Sequence, residues 1–162
     1  MDATTDPERG VRTPPPRPKR LAHLVLRVRG IQRSEKFYTT ILGLEVRDRS
    51  FDMVFLSLDE TSSHDLALMP LPSDAPGPEE TRAGLYHFAW QLESFDELKR
   101  MHEHLKENKV EIVGYGEHGI SSGIHFLDPD GNEIEVFYEL PRDQWPKGEL
   151  FIGKFPWSLE DA

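Results

Sequence analysis

The sequence predicts an α+β protein made of two βαβββ modules whose mixed sheets curve into a cup. Three observations carry the modular part of that reading. Leu21–Val28 reads LAHLVLRV and Leu85–Leu92 reads LYHFAWQL, both opening Leu-x-His and both alternating at the two-residue period of a strand. A helical pattern follows each. Short runs suited to strands then follow each helix, so strand, helix and further strands occur twice, with the paired histidines at positions 23 and 87.

Taken in order, residues 1–20 hold TPPPRP and no hydrophobic periodicity, and a disordered or polyproline-like tail is expected. The first module spans 21–70. After its opening strand, Phe37, Tyr38, Ile41 and Leu42 form an apolar helical stripe, and Gly43 stands where a C-terminal cap belongs. VFLSL (Val54–Leu58) and DLALM (Asp65–Met69) are its later strands. Residues 71–84 read as a linker, within a stretch from Pro70 to Gly84 that carries four prolines. The second module spans 85–140. Ser94 and Glu97 form a capping box, Phe95, Leu98, Met101 and Leu105 a stripe, and GIHFL (Gly123–Leu127) and EIEVFY (Glu133–Tyr138) two strands around an Asp-Pro-Asp-Gly turn. Residues 141–162 form an extension whose Trp145, Phe151, Phe155 and Trp157 either fold back on the body or make an oligomer contact.

Composition narrows the class of function. With 37% hydrophobic and 30% charged residues, no apolar run of membrane length and no signal-peptide core, the 162-residue chain reads as a soluble globular protein. A net charge of −10 argues against nucleic acid and anionic membrane as partners. The absence of cysteine removes disulfides, thiolate ligands and iron–sulfur clusters, fits a cytoplasmic setting, and leaves His, carboxylate and carbonyl groups to hold any metal.

Strand alternation then places the histidines. Leu21, His23, Val25 and Arg27 share one face, opposite Ala22, Leu24, Leu26 and Val28; Leu85, His87, Ala89 and Gln91 oppose Tyr86, Phe88, Trp90 and Leu92. The apolar face of each should pack under its helix, which puts His23 and His87 on the uncovered face. On the last strand, Glu133, Glu135, Phe137 and Glu139 oppose Ile134, Val136 and Tyr138. Singly, a strand histidine has an ordinary packing role and a strand glutamate an ordinary solvated one. Jointly, two imidazoles and one carboxylate on equivalent faces match the ligand set of non-haem Fe(II) oxygenases. His102 and His104, at i and i+2 on a helix, share no face and are expected in solvent.

Together, LAHLVLRV, SEKFYTTILGLEV, GLYHFAWQ and DPDGNEIEVF resemble the vicinal oxygen chelate superfamily over about residues 20–140. That superfamily includes glyoxalase I, fosfomycin-resistance transferases, bleomycin-binding proteins and type I extradiol dioxygenases. The resemblance implies His23, His87 and Glu135 as metal ligands, with Glu133 a rim residue. Ala67 stands where glyoxalase I takes a fourth, acidic ligand; no potassium-binding loop of the fosfomycin type is seen; and bleomycin-binding proteins generally lack the triad. The extradiol signature matches best: Gly116-Glu117-His118, Ile124, Asp128-Pro129-Asp130-Gly131 and Glu135 stand in order, with His125 in place of the family's Tyr. His64, in HDLAL, matches a further family histidine. So the resemblance implies an Fe(II) enzyme, alternatively Mn(II), that opens a small catechol with O2 as co-substrate to a muconic semialdehyde. His64, His118 and His125 would be catalytic, and Arg27 or Arg47 could receive a substrate carboxylate. L-DOPA is a candidate substrate because small single-pair members of similar length cleave it. A homodimer is expected, with His23 supplied by the same chain or by its partner. A redox-neutral isomerase or transferase and a drug-sequestering binding protein are the alternatives.

Overall fold

A computed structural model of the chain describes residues 15–79 and 81–159, so most of the expected N-terminal tail (1–14) lies outside the described residues. The first half forms β1 (Leu24–Val28), α1 (Ile31–Ile41), β2 (Glu45–Ser50), β3 (Met53–Ser57) and β4 (Leu66–Pro70). The second forms β5 (His87–Gln91), α2 (Phe95–Glu107), β6 (Ile112–Glu117), β7 (Ser121–Leu127) and β8 (Glu133–Glu139). The α+β, twice-repeated βαβββ architecture expected from the sequence is therefore present. Each half makes its own four-stranded mixed sheet, in the orders β1-β4-β3-β2 and β5-β8-β7-β6. In each, the first strand runs parallel to the last and the remaining pairs are antiparallel.

Local signals are realised closely. Gly43 adopts φ +68 just past the last residue of α1, a left-handed conformation that a side chain would disfavour, and Leu44 N–H turns back to the Tyr38 carbonyl at 3.3 Å. At α2, Ser94 Oγ accepts from Glu97 N–H at 3.2 Å, while the Glu97 carboxylate reaches one residue further back, to Glu93 N–H at 3.0 Å.

One core serves both halves. Leu26 and Val28 of β1, Tyr38 and Ile41 of α1, Leu98 and Leu105 of α2, and Ile124, Phe126, Ile134 and Val136 of β7 and β8 are buried in a single cluster. Both helices contribute to it, and outside the core the Thr40 carbonyl accepts from the His104 ring at 3.0 Å. Both helix-bearing faces thus turn inward, and both histidine-bearing faces turn out: Val25 is 43% exposed, and Arg27, Ala89 and Gln91 are exposed. His102 and His104 are not simply solvated. His102 Nε2 lies 2.9 Å from the Tyr115 hydroxyl, so the two rings that share no face each found a separate partner.

The Asp128–Gly131 turn locks the halves together. Tyr38 Oη donates to Asp128 at 2.8 Å; Arg29 Nε, Ser34 Oγ and Arg33 reach Asp130 at 2.7, 3.2 and 2.9 Å. Both carboxylates are only 5% exposed. Burial alone would raise the Asp130 carboxyl, but hydrogen bonds from Arg29 and Arg33 win and hold it below the usual carboxylate range. Burial, and then the Asp128 charge, push the Tyr38 phenol well above its ordinary value. The C-terminal extension folds back: Phe155 is buried against Phe95, Tyr138 and Trp157, with ring centroids 5.4–6.1 Å apart.

Candidate metal centre

On the outward face of the second sheet, strand pairing brings four donors together. His87 begins β5 opposite Glu133 of β8, and His125 of β7 pairs with Glu135 of β8. His87 Nε2 lies 3.5 Å from Glu135 Oε2, and His125 Nε2 lies 3.7 Å from Glu135 Oε1. Behind them, His125 Nδ1 is 2.9 Å from Glu133 Oε1, with His87 Nδ1 at 4.0 Å from the same oxygen. Two glycines keep this face open. A Cβ on Gly123 would collide with the Glu135 carboxylate. A Cβ on Gly116 would lie 3.2 Å from Nε2 of both His118 and His125, so these two imidazoles approach one point above the β6 backbone.

The other predicted residues lie on the first sheet. His23 and His64 stack with ring centroids 4.4 Å apart, and Phe55 meets His64 edge-on at 5.2 Å. His64 ends a loop pinned by Asp65, which accepts from Leu58 N–H at 2.9 Å and Ser62 Oγ at 2.9 Å. Burial opposes ionisation there, yet these bonds hold the Asp65 carboxyl below its ordinary range. Beside His64 runs a groove of about 400 Å³ lined by Arg47, Phe55 and Ser63. Arg27 lines a separate groove with Val25, Met69 and Leu85. Ala67, buried in β4 beside Val25 and Phe55, offers no ligand atom.

Of the three expected ligands the chain therefore unites His87 and Glu135 and leaves His23 beside His64. Among the described residues, His87, His125 and Glu133 form the one set of three donors with ligand atoms all within 4.8 Å. The donor chemistry fits a divalent cation: imidazole nitrogens and carboxylate oxygens converge, and His87 Nδ1 is buried without a hydrogen-bond partner. Glu133, expected at the rim, lies in this donor set because it alternates with Glu135 onto one face of β8.

The model of the glyoxalase/bleomycin resistance protein/dioxygenase superfamily matches residues 20–136. The chain belongs to that superfamily. It is 33% identical over 127 residues to a catechol-2,3-dioxygenase of Bacillus subtilis (strain 168), covering 78% of this chain and 44% of that protein. It is 28% identical over 134 residues to a manganese-dependent 2,3-dihydroxybiphenyl 1,2-dioxygenase of Geobacillus genomosp. 3, covering 80% and 40%. The chain spans less than two thirds of the length of these curated relatives. Among solved structures, a fosfomycin resistance protein of Listeria monocytogenes shares the fold, with a TM-score of 0.61 at 19% identity over 79% of this chain and 99% of that one. Among the described residues, no helix is long and apolar enough to cross a membrane.

Proposed function

We propose that this member of the superfamily is a divalent-metal-dependent extradiol dioxygenase that opens a small catechol beside its diol. The ring carbon–carbon bond breaks, both atoms of O2 enter the muconic semialdehyde, and no external reductant is needed. The observation that carries the reading is the convergence of His87, His118, His125 and Glu135 on one open face of the second sheet. The names of the two curated relatives support it, and the Geobacillus protein's name keeps Mn(II) beside Fe(II) as the candidate ion.

His23, His87 and Glu135 would hold the ion, which when bound would supply Lewis acidity toward the catechol and bring it together with dioxygen. His125 Nε2 takes a proton from the substrate hydroxyl; His118 Nε2, aimed at the same point, donates to a substrate oxygen. His64 delivers a proton as the ring opens. Arg47, lining the groove beside His64, can receive the carboxylate of an amino-acid catechol such as L-DOPA.

His23 reaches the other ligands from a second copy in this account. Both helices sit in the shared core, so the chain turns its two histidine-bearing faces outward. The first sheet of one copy laid against the second sheet of another covers Val25, Met69 and Leu85, which are 43%, 37% and 62% exposed, and completes two sites per dimer. Mixing His23→Ala with Glu135→Ala protein then restores one intact site per mixed dimer, and so restores activity that neither variant has alone. Continued inactivity, after verified subunit exchange, contradicts the shared site. The reaction itself is tested by oxygen uptake of Fe(II)-loaded protein with catechol, protocatechuate, homoprotocatechuate and L-DOPA. Uptake with a yellow product is expected; metal-loaded protein that consumes no oxygen with any of them would favour the redox-neutral isomerase or transferase reading.

A further inference from the structure

We propose that Glu133 is a positioning residue that turns His125 into a base acting through Nε2. The inference rests on the dioxygenase reading for its role in the reaction, but its structural half stands on geometry alone. His125 Nδ1 lies 2.9 Å from Glu133 Oε1. An ionised carboxylate can only accept, so Nδ1 must carry the hydrogen. Neutral imidazole has one such hydrogen, and Nε2 is left with a bare lone pair. That nitrogen lies on the open face, 3.7 Å from Glu135 Oε1 and over Gly116.

The strand register explains why Glu133 can do this. On β8, Glu133 and Glu135 share a face, and His125 on β7 is paired directly with Glu135. The imidazole thus spans two carboxylates one pleat apart, its Nδ1 edge toward Glu133 and its Nε2 edge toward Glu135. At 19% side-chain exposure Glu133 is half-buried, which strengthens the hydrogen bond over one in open water. His87 approaches the same oxygen with its otherwise unpartnered Nδ1 at 4.0 Å. Glu133 therefore stands behind both rings but hydrogen-bonds only that of His125, whose Nε2 edge is left toward Glu135.

In the reaction, the proton of a catechol hydroxyl passes to His125 Nε2. The imidazolium so formed keeps its Nδ1–H bond to Glu133, which stabilises the new positive charge and takes no proton itself. This gives a role to the histidine that departs from the sequence pattern: a phenol oxygen is a weak acceptor, whereas the unprotonated imidazole nitrogen offers a lone pair for the proton.

Two readouts test the dyad, and the first needs neither metal nor oxygen. Metal-free 15N-labelled protein held near pH 8, above the ordinary imidazole range, should show the His125 ring predominantly with hydrogen on Nδ1. Glu133→Ala should move the hydrogen toward Nε2, and Glu133→Gln, whose amide oxygen still accepts, should keep the wild-type form. Hydrogen on Nε2 in the wild type, or no change in Glu133→Ala, would overturn the proposal whether or not the protein cleaves catechols. The second readout is kinetic: Glu133→Ala should lower kcat on the order of 100-fold with KM within about threefold, and Glu133→Gln should recover part of the loss. Metal should still bind to Glu133→Ala. Metal loss as complete as in Glu135→Ala would make Glu133 a ligand, and an unchanged kcat would make it a bystander; either refutes the positioning role. Failure of the dioxygenase reading itself would show separately, as a wild type that takes up no oxygen.

Discussion

A single methyl group should separate metal binding from folding in this protein. Gly123 is buried in β7, and a Cβ there would meet the Glu135 carboxylate, with Glu135 Cδ and Cγ each 3.1 Å away. The backbone at Gly123 needs no positive φ, so alanine fits the strand and, by reducing the freedom of the unfolded chain, favours folding by roughly 0.5–1 kcal/mol. What must yield is the end of the Glu135 side chain, which can swing toward the open face. Gly123→Ala should therefore leave the metal-free protein within about 1 kcal/mol of wild-type stability. Metal affinity should fall by about 100-fold, the upper end of the loss when the surroundings of a ligand are disturbed. At a metal concentration near 100 times the wild-type Kd, that loss removes most of about 2.7 kcal/mol of metal-linked stabilisation. For a chain of this size the missing rise in Tm is about 5–10 °C. Thermal unfolding with and without Fe(II) or Mn(II) measures both quantities in one experiment. A Gly123→Ala protein that keeps the full metal-induced rise would refute the placement of Glu135 as a ligand.

Gly116→Ala should do the reverse: its Cβ presses on the Nε2 atoms of His118 and His125, so metal content should hold while kcat drops roughly 10–100-fold, read by metal analysis beside steady-state kinetics. Asp130→Ala strips the acceptor from Arg29, Arg33 and buried Ser34; because the two guanidinium groups are 30% and 52% exposed and can rehydrate, the cost should be about 2–3 kcal/mol in urea unfolding. The Asp130 carboxyl is held below its unfolded value, so its contribution is present above about pH 4 and disappears as pH falls through the lowered folded value; acid unfolding of Asp130→Asn should accordingly be shallower than that of the wild type. Phe155→Ala, which empties a 5%-exposed position among three aromatic rings, should cost about 3 kcal/mol by the same assay.

Much of this could be read from the sequence because it is local or periodic. Alternation put His23 and His87 on uncovered faces and Leu26 and Val28 in the core; Gly43 and the Ser94–Glu97 pair marked helix ends. The edge strand β2 went unmarked because EVRDRS is charged and mostly exposed, without the apolar alternation of a half-buried strand. Its hairpin to β3 turns on Phe51 and Asp52, at φ 55 and 60, with no glycine to signal the left-handed turn. The remaining gaps are contacts far apart in the chain. Asp128 and Asp130 read as turn residues, and nothing local announces that Tyr38 and Arg29, 90 and 101 positions away, would claim them. Likewise the core shared by both halves decides that the histidine faces point outward, and no strand pattern encodes which side of a sheet its neighbour will choose. His125 could be found as a departure from a pattern; its Glu133 partner needed the β7–β8 register.

The most direct test of the central claim follows the oxygen atoms. A single turnover of Fe(II)-loaded protein with its best catechol under 18O2, quenched with borohydride so that the aldehyde oxygen cannot exchange with water, should give a ring-opened product carrying two labelled oxygens. A ring-opened product with no label, or no ring opening at all from protein with its metal bound, would contradict the account.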